Sequence, residues 1–408
     1  MTNCLAIDGG APVRQRMLRY GRQTIGHEDI RAVLDTLGSD WLTTGPKVRE
    51  FEQSFARYTG AGEAVAVSSG TAALHAAMHA LGIAPGDEVI VPALTFVASA
   101  NCVVYRGATP VFADVEPDTL LIDPADVEAK ITPRTRAIIA VDYAGQPCDY
   151  DALGSIAQRH GLGLVADACH SLGASYRERP VGTLADLSVF SLHPVKAMTT
   201  GEGGMITTAS FEVAHLMRCF RNHGVTSNHF QREQQGSWLY DMADLGFNYR
   251  LSDIQCALGL TQIKRLSSWI ERRRAIARSY DNGFAPLLGV TALTPRSGRQ
   301  HAYHLYVIRL NEECLRADRS RVFAALKAEG IGVNVHYLPV YLHSFYRDRF
   351  GARPGLCPRA EAAYEEILSL PIFPGMSNED VNDVIEALWK VVTSYGISTR
   401  TKAAAGAR

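Results

Sequence analysis

Residues 188–208 read SVFSLHPVKAMTTGEGGMITT: an apolar run, a turn that carries Lys196, a glycine-rich bend and a second apolar run. Runs this short and this apolar are what strands look like when both faces of a sheet are covered. Similar runs occur at AVAVSSG, EVIVPALTF, TPVFADV, RAIIAVDYAG and GLVADAC, with helical patterns between them. Strand and helix in alternation predict an α/β fold whose central sheet is mostly parallel and joined by crossovers. A flexible cation at the end of a middle strand then needs an explanation.

The helical segments have legible ends. HEDIRAVLDTL spaces Ile30, Val33, Leu34 and Leu37 on one face, and TAALHAAMHALG closes at Gly82 as a C-cap. After residue 250, LSDIQCALGLTQIKRLSSWIERRRAIARSYD predicts a long helical segment with an exposed ERRR near a bend. Strands at HLYVIRL and GVNVHYL and helices at SRVFAALKAEG and SNEDVNDVIEALWKVV predict a smaller domain. The expected division is an N-terminal extension over 1–25, a large domain over 26–250, a connecting helical segment over 251–285, a small α+β domain over 286–395 and a disordered tail over 396–408.

Composition excludes several classes. With 47% hydrophobic and 20% charged residues the chain is globular. Its 41 basic side chains balance 42 acidic ones without a block of either sign, so no nucleic-acid partner is expected. No apolar run approaches a membrane span, and MTNCLAIDGGAPVRQR lacks the charged start and apolar core of a leader, so the expectation is a cytoplasmic chain without a membrane partner. Eight cysteines scattered without a CxxC pair suit reduced thiols, and no metal is expected.

On a surface turn a lysine is ordinarily just solvated. Lys196 has other chemistry around it, because ligands of open α/β sheets sit beyond the carboxyl ends of the strands. GLGLVADACHS puts Asp167 directly after an apolar run, and AVAVSSGTAALHAA passes from a strand through Ser69, Gly70 and Thr71 into a helix. Small residues and unpaired N–H groups at a helix start form a phosphate dock. A phosphate dock, a carboxylate and an amine at one sheet edge meet the needs of pyridoxal 5'-phosphate (PLP): an anion site, a partner for the ring nitrogen and an amine that condenses with the aldehyde.

EVIVPALTFVASAN, ADVEPDT, VADACHSLGA, SVFSLHPVKAMTTGEGG, FRNHG and LGFNYRLSDIQCALG together resemble the DegT/StrS family of sugar aminotransferases, over roughly residues 18–392. The resemblance implies PLP-dependent transferase fold type I, with 26–250 as the PLP-binding domain. LRYGRQTI, SDWLTTGPKV, VDYAGQPCD and VHYLPVY resemble the branch that aminates C4 of a sugar in pseudaminic acid biosynthesis. It implies Lys196 as the lysine that binds PLP and Asp167 as the partner of the ring nitrogen. Phe96 would stack on the ring, Gly70, Thr71, Ala72 and Ser191 would hold the phosphate, and His170 would lie near the phenolic oxygen. Asn248 would reach the phosphate of a neighbouring subunit in a homodimer with shared active sites. Tyr20, Thr43, Thr44, His336, Tyr337 and Tyr341 would border the sugar. Read without the resemblance, Phe96 is a core aromatic, Ser191 a turn former, His170 a buried histidine, and the six wall residues are packing. The implied reaction moves an amino group from an amino acid, L-glutamate, to C4 of a nucleotide-linked 4-keto-6-deoxy hexose. UDP-2-acetamido-2,6-dideoxy-β-L-arabino-hex-4-ulose is the expected acceptor, with a dTDP-linked 3- or 4-keto sugar or an aminocyclitol ketone as alternatives.

Three rivals fit less well. GLGLVA offers a GxGxxA pattern, but its glycines leave a helix and enter a strand, the reverse of a dinucleotide fingerprint. Dehydrating relatives replace the PLP-binding lysine with histidine, whereas HPV is followed here by Lys196. A non-catalytic protein on the same fold has no need of Lys196, Asp167 and the phosphate dock together.

Overall fold

The computed structural model describes residues 4–227, 232 and 236–397, so most of the tail expected to be disordered lies outside the described residues. Its strands are β1 (Glu63–Val67), β2 (Glu88–Pro92), β3 (Thr109–Ala113), β4 (Thr135–Val141), β5 (Gly163–Asp167), β6 (Ser175–Tyr176), β7 (Arg179–Pro180), β8 (Leu187–Ser191), β9 (Gly204–Thr208), β10 (Val290–Ala292), β11 (Arg299–Gln300), β12 (Tyr306–Leu310) and β13 (Ile367–Leu370). Seven of them form the main sheet in the order β1-β9-β8-β5-β4-β2-β3. The β3–β2, β2–β4, β4–β5 and β5–β8 pairs are parallel. Consecutive residues such as Ile138, Ile139 and Ala140 are fully buried, which requires cover on both faces and explains the unbroken apolar runs.

β9 departs from the parallel pattern. It runs antiparallel to β8, from Leu187↔Thr208 to Ser191↔Gly204, and antiparallel to β1. The connection between β8 and β9 contains no helix, the usual crossover element of a parallel return. β1 therefore points the same way as β8, so the carboxyl ends of β1, β2, β5 and β8 share one edge.

The helices of the large domain are α1 (His27–Leu37), α2 (Pro46–Thr59), α3 (Gly70–Ala80), α4 (Ala98–Tyr105), α5 (Pro124–Ala129), α6 (Tyr150–His160) and α7 (Phe211–Phe220). The expected C-cap is present: Gly82 has φ of +70° and its N–H donates to the His79 carbonyl at 2.9 Å. The segment expected over 251–285 is α8 (Asp253–Phe284), started by a capping box of Ser252 and Gln255. It joins two cores. Ile263, Leu266 and Ile270 pack with the main sheet, while Ile276, Tyr280 and Phe284 pack with β12, β13, α9 (Arg319–Ala328) and the C-terminal helix Asn378–Tyr395. The N-terminal segment is tied to the second core, where Leu5 and Leu18 are buried and Glu329 accepts from the N–H groups of Ala6 (2.8 Å) and Val13 (3.0 Å).

Two expectations are corrected, and α1 adds a finding of its own. ERRR is not an exposed bend: Arg273 is 1% exposed inside a continuous α8, and donates to the carbonyls of Tyr303 (3.0 Å) and Ile372 (2.8 Å). Burial lowers its guanidinium to about 10. GVNVHYL forms no strand. Asn334 turns its side chain back on the Val335 N–H (2.9 Å), a local bond that competes with a ladder, and only an isolated bridge to Ser369 survives. The small sheet is β10-β12-β13 instead. On α1 the apolar stripe does not face the core: Ile30, Leu34 and Leu37 are 52%, 60% and 52% exposed. The buried side is polar, with Asp29 accepting from Thr261 (2.6 Å), Gln262 (2.9 Å) and Arg265 of α8.

Replacing Arg273 by alanine leaves the carbonyls it serves without a donor. The expected loss is about 3 kcal/mol in urea unfolding, against little change for the neighbouring exposed Glu271→Ala.

Candidate active site

The connection between β8 and β9 is bonded to itself rather than loose. The Leu192 carbonyl accepts from the Thr200 N–H (3.1 Å) and Thr199 hydroxyl (3.0 Å), the Gly203 carbonyl from the Leu192 N–H (2.8 Å), and the His193 carbonyl from the Lys196 N–H (2.9 Å). Lys196 thus sits on a fixed turn at the sheet's carboxyl edge. Burial lowers its amine from the usual lysine value, opposed by Cys169 and Asp167. His170, His304 and His336 are all held low, first by burial and also by the charge of Lys196, with His336 near 4. One cationic amine therefore faces a neutral histidine cluster.

Asp167 ends β5 and is 5% exposed. Its Oδ2 accepts from the Ser99 hydroxyl at 2.7 Å and its Oδ1 from the Cys169 N–H at 3.3 Å. His170 donates or accepts at Nε2 with the Tyr337 hydroxyl, 3.2 Å away, and its buried Nδ1 has no partner. The His304 ring lies 4.3 Å from it.

The start of α3 follows from Ser69, whose hydroxyl oxygen accepts from the Ala72 N–H at 3.0 Å. Ala72 is therefore satisfied, while the first N–H groups of the helix, at Gly70 and Thr71, have no intrahelical acceptor. Gly70 leaves a close fit here: an added Cβ would lie 3.0 Å from Ser191 Cβ and 3.3 Å from Cys169 Sγ, so these neighbours would have to give way. Ser191, Cys169 and the α3 start are thereby side by side. Gly204 matters in the same way, since a side chain there would collide with the Ser69 carbonyl.

The structure settles where the other expected residues lie. Phe96 is 55% exposed and is no core aromatic; its ring is 6.0 Å from that of Tyr337. The Tyr20 ring is 5.5 Å from His336, and the next residue, Gly21, packs on Val195 beside Lys196. His336 bonds Ser369 (2.8 Å) and Asn334 (3.3 Å). Tyr341 is corrected: it is fully buried, donates to Glu361, accepts from the Cys357 N–H (3.1 Å) and packs on Phe112. A hydroxyl already committed on both sides inside the core cannot border a substrate. Thr43, Thr44 and Asn248 are exposed; Thr43 bridges Ser252 and Asn248 bridges Asn222, and no described contact joins them to Lys196. Sequence reasoning missed Ser99, Thr95, Gly204 and His304. The four-residue spacing of Thr95 and Ser99 at a helix start was a legible signal for the first two.

An amine, a buried carboxylate, a helix start with free N–H groups and an exposed aromatic face together describe a site for a phosphorylated aromatic aldehyde. The chain belongs to the DegT/DnrJ/EryC1/StrS aminotransferase family, whose profile matches residues 23–389. Its cofactor is accordingly PLP, its fold is the type I fold of PLP enzymes, and its reaction class is sugar transamination. It is 44% identical over 93% of its length, and 98% of the other's, to the spore coat polysaccharide biosynthesis protein SpsC of Bacillus subtilis. Among solved structures it is similar to Helicobacter pylori PseC, an aminotransferase involved in the biosynthesis of pseudoaminic acid (TM-score 0.87, 32% identity, 93% of this chain and 100% of that one). It is also similar to a Streptococcus pneumoniae protein solved in its PLP form (TM-score 0.87, 34% identity, 93% and 99% covered).

The lowered Lys196 amine has a consequence that needs no cofactor. More of it is neutral at a given pH, so in the PLP-free protein its labelling by an amine-reactive reagent should reach half-maximum below the ~10.4 of an unperturbed lysine. Mass mapping across pH measures this, and a midpoint at or above that value contradicts the assignment.

Proposed function

We propose that this chain transfers an amino group from L-glutamate to C4 of UDP-2-acetamido-2,6-dideoxy-β-L-arabino-hex-4-ulose, a nucleotide-linked 4-keto-6-deoxy hexose. The observation that carries the reading is the meeting of Lys196, Asp167 and the α3 start at one sheet edge, in a chain alignable along 93% of its length with PseC. The residues present fit PLP. Gly70 leaves room at the helix start, Gly70 and Thr71 offer N–H groups to its phosphate with the Ser191 hydroxyl alongside, and the partnerless Nδ1 of His170 supplies a buried polar atom.

When bound, PLP supplies the carbonyl that captures an amine and the ring that draws electrons from the reacting carbon. The rest falls to the chain. Lys196 holds the cofactor, and once free its amine takes the proton from the donor's α-carbon; in the second half-reaction it delivers a proton to C4 of the sugar. A lowered amine is suited to that exchange. Asp167 keeps the proton on the ring nitrogen, Phe96 covers the ring, and Tyr337 orients His170 through their 3.2 Å bond. Tyr20, His336 and Tyr337 line the sugar side.

The site is completed in a homodimer, with Asn248 reaching the phosphate of the partner subunit. The exposed stripe of Ile30, Leu34 and Leu37, together with Met242 and Leu245, supports a second copy as its cover. Free thiols at all eight cysteines support work in the cytoplasm. A second acceptor has its own support: identity to SpsC, at 44%, exceeds that to PseC, at 32%, which favours a keto sugar bound for a surface polysaccharide, dTDP-linked 3- or 4-keto sugars included.

Two experiments decide. The enzyme converted to its amino form by L-glutamate is offered a panel of UDP- and dTDP-linked 3- and 4-keto sugars, and recovery of the PLP absorbance identifies the acceptor; the UDP-linked 4-keto sugar should restore it fastest, and a dTDP sugar doing so replaces the first reading by the second. For the shared site, Lys196→Ala and Asn248→Ala proteins, each nearly inactive, are mixed and allowed to exchange subunits. Half the dimers are then mixed and each holds one intact site, so about a quarter of wild-type activity returns. No recovery with exchange demonstrated rules sharing out.

A further inference from the structure

We propose that Ser99 is a positioning residue for the Asp167 carboxylate, the last link of a directed hydroxyl chain from Thr95 that holds this carboxylate in place against the cofactor ring. The inference rests on the reading that Asp167 faces the ring nitrogen.

A carboxylate removed from water keeps its charge only when donors replace its hydration. Asp167 has two. The Cys169 N–H is 3.3 Å from Oδ1, beyond the usual range, while the Ser99 hydroxyl is 2.7 Å from Oδ2, the length of a charge-assisted bond. Ser99 is fully buried, so no bulk water shares its proton. Its oxygen is also 2.8 Å from that of Thr95, which is 2% exposed. Distance alone allows either hydroxyl to donate in that pair. The carboxylate removes the ambiguity, because an ionised one only accepts. Ser99 has a single proton and must give it to Asp167, so Thr95 must donate to Ser99. A hydroxyl that accepts one bond donates a stronger one, and the chain reinforces itself.

The same five residues, TFVAS, also carry Phe96, which is exposed between the two buried hydroxyls. One helix start thus presents an aromatic face to the ring and, on its inner side, fixes the carboxylate at the ring's edge. Replacing Ser99 changes the second function without touching the first.

The test uses the holoenzyme and its visible absorbance. In Ser99→Ala the carboxylate is less firmly held at the ring's edge, the ring carries less positive charge, and the pH midpoint of the PLP absorbance moves up by about one unit, with kcat falling about tenfold. Ser99→Thr keeps the hydroxyl and restores both. Thr95→Val moves the midpoint in the same direction by less. Asp167→Asn alone moves it and loosens PLP, and adding Ser99→Ala to Asp167→Asn changes nothing more, since Ser99 acts only through that carboxylate. A Ser99→Ala enzyme with a lowered melting temperature but an unchanged midpoint overturns the proposal and leaves Ser99 a packing residue. Should Ser99→Ala not fold, an unchanged midpoint in Thr95→Val overturns it equally. If Asp167→Asn itself leaves the midpoint and PLP retention unaltered, the reading of Asp167 fails, a result distinct from failure of the chain behind it.

Discussion

The antiparallel return from β8 to β9 is the constraint on which the site depends. The connection has no crossover helix and turns back at the carboxyl edge of the sheet, carrying Lys196 with it. The same reversal sets β1 parallel to β8, which brings the start of α3 to that edge, while β5 delivers Asp167 there by ordinary parallel pairing. Three chemically unrelated groups meet because three strand directions agree. Gly70 and Gly204 ease the approach, since a side chain at Gly204 would strike the Ser69 backbone and one at Gly70 would crowd Ser191 and Cys169.

Electrostatics divides this edge into layers. One layer is Asp167, whose carboxylate accepts from hydroxyl and backbone donors. The other is Lys196, lowered by burial, near the histidines His170, His304 and His336, which burial also keeps low. A neutral imidazole can both donate and accept, whereas a charged one beside Lys196 would repel it. The small domain supplies part of this layer, because Tyr337 and His336 come from the segment that failed to become a strand. Had GVNVHYL joined the β10-β12-β13 sheet, strand alternation would have sent the two rings to opposite faces.

Buried polar groups hold the two cores in register. Arg273 reaches from α8 to the carbonyls at residues 303 and 372, and Glu329 gathers the N-terminal segment with Lys390 at 2.8 Å. Such groups cost stability when left unmet, so they fix geometry more strictly than apolar contacts of the same size. Asp29 does the same for α1, and its pull on Thr261, Gln262 and Arg265 turns the apolar side of that helix outward.

The sequence by itself determined the sheet, its strands and the chemistry at their ends. Unbroken apolar runs have one explanation in a two-faced sheet, and Lys196, Asp167 and the SSGTAA start stood out as strand-end residues, which the fold brings to one edge. Tertiary structure decided everything that depends on which side chain another side chain meets. Period alone gathered the apolar residues of α1 on one face, and a buried carboxylate on the opposite side turned that face outward. ERRR read as solvated because charge does so on average, yet the carbonyls of Tyr303 and Ile372 bury one guanidinium. Tyr341 and Ser99 changed places for the same reason: a tyrosine that resembles a substrate wall is consumed by Glu361 and Cys357, and a serine that looks like any helix start proves to touch Asp167. A hydroxyl's role is set by its partner, and the partner lies 68 residues away in the chain.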